Sequence, residues 1–161
     1  MRIEACKTLA NIVGGTPEQA KKLLELQVVP KLLNLLRADS VKVKREVLWI
    51  IFNITYKLDV KVAADIVSHG AVETLCEMLK GDIRDIAVVL QSLNYLLKKL
   101  NRGENEVAER IEQCGGMKKI EALQYHENDV IYKLAYNIIE NFFNNNSLES
   151  TEPNNISIFN F

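Results

Sequence analysis

Apolar residues recur every three or four positions along most of the chain, which is the spacing of an amphipathic α-helix. The clearest apolar stripe consists of Val47, Leu48, Ile51, Phe52 and Ile54. Glycine, proline and short polar clusters interrupt such stripes at regular intervals. The pattern predicts a chain of ten helices, and therefore an all-α protein.

The junction between the first two predicted helices carries clear end and start signals. Gly14 and Gly15 should end the first helix, because glycine tolerates the left-handed backbone that often closes a helix. Thr16 can cap the second helix, Pro17 fits its first turn, and Gln19 completes a capping box. Similar signals predict that the third helix covers residues 31–37.

The pattern repeats itself after 42 or 43 residues. Four pairs of positions spaced by four residues recur at an offset of 42: Lys7 and Asn11, Trp49 and Asn53, Gln91 and Tyr95, Lys133 and Asn137. A helical period of about 40–47 residues is typical of armadillo and HEAT solenoids. Each cycle reads as a short, a medium and a long helix, which favours the three-helix armadillo unit. We therefore predict a right-handed armadillo-type α-solenoid.

The repeat divides the chain into five parts. Residues 1–15 are the third helix of a truncated repeat, residues 16–57, 58–101 and 102–144 are three full repeats, and residues 145–161 are a tail expected to be disordered. A solenoid end normally needs a capping unit with a polar outer side, and the first helix has none. We therefore expect the chain to be the C-terminal piece of a longer protein.

Composition narrows the possible functions. The 161 residues carry a net charge of −1, so no overall basic field attracts nucleic acid. No apolar run reaches the length that a membrane span needs, and the first residues do not read as a signal peptide. Cys6, Cys76 and Cys114 are too widely spaced for a disulfide framework and indicate reduced thiols. We expect neither a metal nor a cofactor.

One helical face carries binding chemistry. Glu46, Trp49 and Asn53 follow an i, i+3, i+7 spacing and share a face of the fourth helix. Asparagine can bond both polar groups of a peptide unit, an indole can hold a lysine stem and charge, and glutamate can accept the ammonium group. Glu4 and Asn11 repeat two of these residues 42 positions earlier. The alternative is that Trp49 simply packs in the core.

Three segments resemble the C-terminal armadillo repeats of importin alpha, the adaptor that carries proteins with nuclear localisation signals into the nucleus. They are Glu-Ala-Cys-Lys-Thr-Leu-Ala-Asn-Ile at residues 4–12, Lys-Arg-Glu-Val-Leu-Trp at residues 44–49, and Leu-Gln-Tyr-His-Glu-Asn at residues 123–128. The similarity covers residues 1–143. It implies a protein of the cytoplasm and nucleus that binds Lys/Arg-rich signal peptides.

The resemblance assigns peptide binding to five residues: Glu4, Asn11, Glu46, Trp49 and Asn53. Lys7 departs from the family pattern, which has tryptophan there, and its ammonium group should repel an incoming lysine. The family also implies two protein partners. Importin beta would bind a basic, flexible segment that this sequence does not contain, and a nuclear export receptor would bind the last repeats.

Two other functions remain as hypotheses. The chain could be an armadillo scaffold for cytoskeletal or signalling partners, with a groove that does not favour basic peptides. An enzyme is the third hypothesis, but the sequence has no phosphate-binding glycine loop, nucleophile motif or convergent pair of carboxylates. We therefore expect a non-enzymatic binding protein.

Overall fold

The computed structural model of the chain describes residues 2–25, 27–38, 40–57, 59–101 and 105–144. Within those residues the chain forms ten helices, in agreement with the number predicted from the apolar stripes. They are α1 (Arg2–Gly14), α2 (Pro17–Glu25), α3 (Val28–Ala38), α4 (Val41–Lys57), α5 (Val60–Ser68), α6 (Ala71–Glu77), α7 (Ile83–Lys99), α8 (Glu106–Gln113), α9 (Gly116–Leu123) and α10 (Asp129–Phe142).

Each cycle consists of two short helices followed by a long one. The third helices α4 and α7 each have 17 residues and α10 has 14, whereas the helices that precede them have between 7 and 11. The expected difference between a short first and a medium second helix holds in the first cycle, where α2 has 9 residues and α3 has 11, but not in the other two cycles. In the second cycle α6 is even shorter than α5.

The helices stack in parallel layers. The long helices pack in the order α1, α4, α7, α10, and the second helices pack in the order α3, α6, α9. Large aliphatic side chains fill the space between the layers, among them Leu32, Leu48, Leu75, Leu90 and Leu93, all buried. Because every cycle buries its apolar face against the next one, the stack is a solenoid. No helix in the described ranges combines the length and apolar character needed to cross a bilayer.

The capping box predicted between α1 and α2 is confirmed. The backbone N–H of Thr16 donates to Gln19 Oε1 at 3.1 Å, and the N–H of Gln19 donates to Thr16 Oγ1 at 3.3 Å. Gly14 and Gly15 do end α1, but neither adopts the left-handed conformation that we expected of them. Helix α1 therefore stops because the capping box starts α2 directly behind it.

A left-handed residue instead marks the turn between the first and second helix of every cycle. Gly70 has φ 85° and Gly115 has φ 73°, and the residue at the corresponding turn of the first cycle is Gln27 with φ 52°. Glycine adopts this conformation without a steric cost, whereas a residue with a Cβ does not. The turn geometry is therefore kept in the first cycle at the expense of backbone strain.

The predicted start of the third helix is wrong. Helix α3 begins at Val28 instead of Lys31, with Pro30 inside its first turn, where the missing N–H has no helical acceptor in any case. Helix α10 begins at Asp129 because Asn128 is its N-cap and accepts from the N–H groups of Val130 and Ile131. The predicted tail at residues 145–161 lies outside the described residues.

Lysines at the ends of the long helices hold successive cycles together. Lys57 donates to the carbonyl oxygen of Gly14, and 42 residues later Lys99 donates to that of Tyr56 at 2.9 Å. Each ammonium group therefore satisfies a C-terminal carbonyl of the preceding long helix, where the helix dipole favours positive charge. The same contact in two cycles fixes neighbouring long helices in register.

Candidate peptide-binding site

Helix α4 presents the three predicted side chains on one surface. Its buried stripe, which includes Val47, Leu48 and Ile51, packs into the core. Glu46, Trp49 and Asn53 lie beside this stripe and are each partly exposed. We call the surface made by these residues and their equivalents at offsets of 42 on α1, α7 and α10 the ladder face.

Trp49 is half-buried. Its ring packs against the core and meets that of Phe52 edge to face, with 5.6 Å between the ring centroids and an interplanar angle of 85°. The indole is therefore held by its neighbour without being enclosed between the layers. Such a preorganised ring can offer its remaining exposed surface to a ligand without first losing side-chain freedom.

Asn53 has part of its hydrogen-bonding capacity unused. Its Nδ2 donates to the carbonyl oxygen of Trp49 at 3.0 Å, which fixes the carboxamide one turn from the indole. The Oδ1 atom makes no hydrogen bond with any described residue. A carbonyl oxygen in this position can accept a backbone N–H of an extended peptide.

Glu46 carries a carboxylate that forms no ion pair with the described residues. Its neighbour Arg45 does not neutralise it, because the guanidinium group binds Asp85 on α7 through two bonds of 2.8 and 3.0 Å. Those bonds also raise the pKa of Arg45. A negative charge therefore lies three residues from Trp49 on the same helical face, where it can accept an ammonium or guanidinium group.

The step of the ladder face on α1 is different. Glu4 and Asn11 are exposed, and the carboxamide of Asn11 bonds no described residue. Glu4 is already paired, because Lys7 Nζ lies 3.3 Å from its Oε1. On α4 an indole lies beside a carboxylate that pairs with no described residue, whereas on α1 a lysine of the same helix pairs with the carboxylate.

The step on α7 is closed. Val88 and Gln91, which correspond to Glu46 and Trp49, are only 5% and 7% exposed. The third position is Tyr95, a phenol in place of a carboxamide. On α10, Lys133 is exposed and Asn137 is partly exposed. Of the four steps, α4 alone combines a free carboxylate, an indole and an asparagine within the described residues.

Sequence reasoning missed an aromatic group next to this step. Phe52 and Tyr56 on α4 contact Tyr95 on α7, with centroid distances of 6.0 and 5.1 Å. The available signal was the spacing of Phe52 and Tyr56 with Trp49 along one side of α4. This signal is weak, because aromatic residues at helical spacing more often form a core.

Two sequence families match parts of the chain. The profile described as the armadillo/beta-catenin-like repeat matches residues 16–56, and that of the atypical Arm repeat matches residues 105–156. Importin subunit alpha-5 of Arabidopsis thaliana is 32% identical over 88% of this chain, and importin subunit alpha-3 of Caenorhabditis elegans is 47% identical over 48% of it. The chain spans only 28% and 15% of the length of these two relatives.

Solved structures of designed armadillo proteins have the same architecture. One described as designed for modular peptide recognition superposes with a TM-score of 0.76 and 26% identity, covering 86% of this chain and 57% of the other. A second, solved in complex with the peptide (KR)4, has a TM-score of 0.73 and 28% identity, covering 86% of this chain and 56% of the other.

The stacked three-helix cycles and these similarities define an armadillo-repeat protein, which confirms the predicted fold class. Within that class, the chain belongs to the importin alpha family. Proteins of this family bind partners and do not catalyse reactions, so the expectation of a non-enzymatic protein is confirmed as well.

Proposed function

We propose that this chain is part of a nuclear import adaptor and that it binds Lys/Arg-rich nuclear localisation signal peptides on the ladder face. The observation that carries the proposal is the step on α4. There the Glu46 carboxylate, which forms no ion pair with the described residues, flanks a half-exposed Trp49 and a fixed Asn53. The importin alpha relatives and a designed armadillo protein with bound (KR)4 support it.

Each of the three residues has a separate role in this proposal. A lysine or arginine side chain lies along the exposed surface of Trp49, and its charge reaches Glu46, which lies one turn earlier on α4. Asn53 Oδ1 accepts a backbone N–H of the peptide and so holds it extended without reading its sequence. Glu4 and Asn11 extend the same contacts to α1, where the Lys7 pair with Glu4 weakens them.

The other functional expectations rest on the family resemblance. An import adaptor works in both cytoplasm and nucleus, and the importin alpha relatives support that location for this chain. Binding to importin beta, and to a nuclear export receptor through the last repeats, stay predictions. The second candidate function is an armadillo scaffold in which Trp49 only supports the packing of Phe52.

Titration of the chain with a fluorescently labelled Lys/Arg-rich peptide tests the proposal. We expect Trp49→Ala to weaken binding by about 1–2 kcal/mol, or roughly 5- to 30-fold, because it removes a partly desolvated cation–π contact. Glu46→Gln should weaken binding without disturbing the packing of the indole. Tyr125→Ala is the matched control, because it removes an aromatic side chain that is 89% exposed and far along the chain from the ladder step.

Equal affinity of the wild type, Trp49→Ala and Glu46→Gln for the basic peptide would reject the ladder step as the binding site. Equal affinity of the wild type for the basic peptide and for a scrambled acidic peptide would favour the scaffold hypothesis. Circular dichroism of each variant verifies that the helices are intact.

A further inference from the structure

Two cysteine thiols meet at the boundary between the second and third cycles. Cys76 lies on α6, the second helix of its cycle, and Cys114 is the C-cap residue of α8, the first helix of the next cycle. Helix α6 packs against both α8 and α9, which brings the two residues together although they are distant in sequence. Both are reduced, and a side-chain hydrogen bond joins the two thiols. We call these two residues the thiol pair.

The turn between α8 and α9 closes around the Cys76 side chain. It runs from Cys114 through Gly115, which has φ 73°, to Gly116 at the start of α9. A Cβ at Gly116 would collide with the Cys76 sulfur and would lie only 3.1 Å from the Cys76 Cβ, so glycine is what lets this backbone approach the thiol. Lys119 Nζ donates to the carbonyl oxygen of Cys76 at 2.9 Å and holds α9 against α6. The thiol pair therefore lies in a fixed contact between two cycles.

The two thiols differ in their access to solvent. Cys76 is 1% exposed, whereas Cys114 is partly exposed and its Sγ donates to the carbonyl oxygen of Ile111 at 3.5 Å. Burial, together with the neighbouring Cys114, raises the pKa of the Cys76 thiol, which keeps it protonated at neutral pH. Cysteine oxidation depends on exposure as well as on thiolate character. An oxidant in solution therefore reaches Cys114 first, with Cys76 directly behind it.

The preceding boundary between cycles has no such pair. Leu33 holds the place on α3 that Cys76 holds on α6, and His69 is the C-cap residue of α5 as Cys114 is of α8. Leu33 is buried and packs with the other aliphatic side chains of the core. Because the first boundary packs with a leucine and a histidine at these positions, the stacking of cycles does not require two cysteines.

We infer that Cys76 and Cys114 form a site of reversible oxidation, at which a peroxide converts the two thiols into a disulfide that links the second cycle to the third. Hydrogen peroxide first oxidises Cys114 to a sulfenic acid: an S–O bond forms, the O–O bond breaks and one water leaves. The Cys76 sulfur then attacks the Cys114 sulfur, and the hydroxyl group leaves as a second water with the proton of Cys76. Two thiols thus lose two electrons and two protons to one peroxide.

Such a disulfide is transient wherever glutathione keeps thiols reduced, which is typical of redox-sensing cysteines. It needs neither the ladder face nor a bound peptide. The inference is therefore independent of the proposed function, and either one can fail without the other.

Peroxide treatment of the native chain, followed by alkylation of the remaining thiols and digestion with trypsin, tests the inference. We expect mass spectrometry to show residues 62–80 joined to residues 111–118, with a mass lower by two hydrogen atoms than the sum of the separate peptides. Dithiothreitol should release both peptides. Cys6→Ser, which removes the third cysteine, is the matched control and should give the same product, whereas Cys114→Ser should leave Cys76 reduced.

Cys76→Ser provides a second readout. Without the second thiol, the sulfenic acid at Cys114 should persist, and its capture by dimedone should exceed that in the wild type several-fold. Three results would overturn the inference: oxidation of Cys114 to a sulfinic acid in the wild type while Cys76 stays reduced, a disulfide between two copies of the chain, or a Cys114 that resists peroxide in the folded chain. Circular dichroism verifies that each variant is folded.

Discussion

Helices α4 and α7 have the same length and the same place in successive cycles, yet they present different surfaces. On α4 the ladder positions Glu46, Trp49 and Asn53 are partly exposed and retain unused binding capacity. On α7 the first two of these positions, Val88 and Gln91, are buried. The repeat therefore conserves the contacts that stack the helices, while the ladder positions differ from one cycle to the next.

Helix α7 buries two polar side-chain atoms. Gln91 Oε1 and Asn94 Oδ1 are buried and have no hydrogen-bond partner in the described part of the chain. A buried carbonyl oxygen without a donor lowers stability, because it has lost its hydrogen bonds to water and forms none within the protein. Gln91 thus occupies the position of the α4 indole but is neither a binding group nor a good core residue.

The largest predicted effect comes from exchanging the first ladder residue between the two helices. Val88→Glu should lower the free energy of unfolding by about 2–4 kcal/mol, because it places a carboxylate at a position that is only 5% exposed. Glu46→Val, the reciprocal change on α4, should alter stability by less than about 0.5 kcal/mol, because Glu46 has no ion pair to lose among the described residues.

Urea denaturation followed by circular dichroism measures both variants. Similar shifts of the unfolding midpoint for Val88→Glu and Glu46→Val would contradict the difference in burial between α4 and α7. A Val88→Glu variant that is as stable as the wild type would show that this face of α7 is open in solution.

A smaller effect is expected at the turns between first and second helices. Gln27→Gly should raise the free energy of unfolding by about 0.5–1 kcal/mol, because glycine removes the strain of a side chain at φ 52°. The reciprocal change Gly70→Gln should lower the free energy of unfolding by a similar amount, because it places a side chain at φ 85°. Steric clashes should add nothing to this effect, since a Cβ at Gly70 would make only ordinary contacts, with atoms 3.6 and 3.7 Å away. A lower unfolding midpoint for Gln27→Gly would show that the left-handed turn is not strained.

Much of the fold could be predicted from the sequence because it depends on periodic signals. The apolar stripes gave the number of helices, and the Thr16 and Gln19 pair gave the start of α2 correctly. The mode in which α1 ends could not be predicted, because Gly14 permits a left-handed backbone without requiring one. The left-handed conformation of Gln27 could not be predicted either, because a residue with a Cβ normally avoids that conformation.

The candidate site was less predictable than the fold. The spacing of Glu46, Trp49 and Asn53 placed them on one face, which depends only on helical geometry. The Lys7 pair with Glu4 and the contact of Tyr56 with Tyr95 depend on rotamers and on the packing of neighbouring cycles. Such contacts between residues distant in sequence leave no local pattern, so the sequence did not reveal how α1 and α7 differ from α4.

Trp49 is the only tryptophan in the chain, and its fluorescence therefore reports directly on the proposed contact. On titration with a Lys/Arg-rich peptide, we predict a saturable change in the tryptophan emission and weaker quenching by acrylamide, with neither change on addition of a scrambled acidic peptide. If calorimetry shows that the basic peptide binds while the emission and quenching of Trp49 stay constant, binding does not involve the indole. That result would contradict the proposal that the ladder step on α4 holds the basic residue.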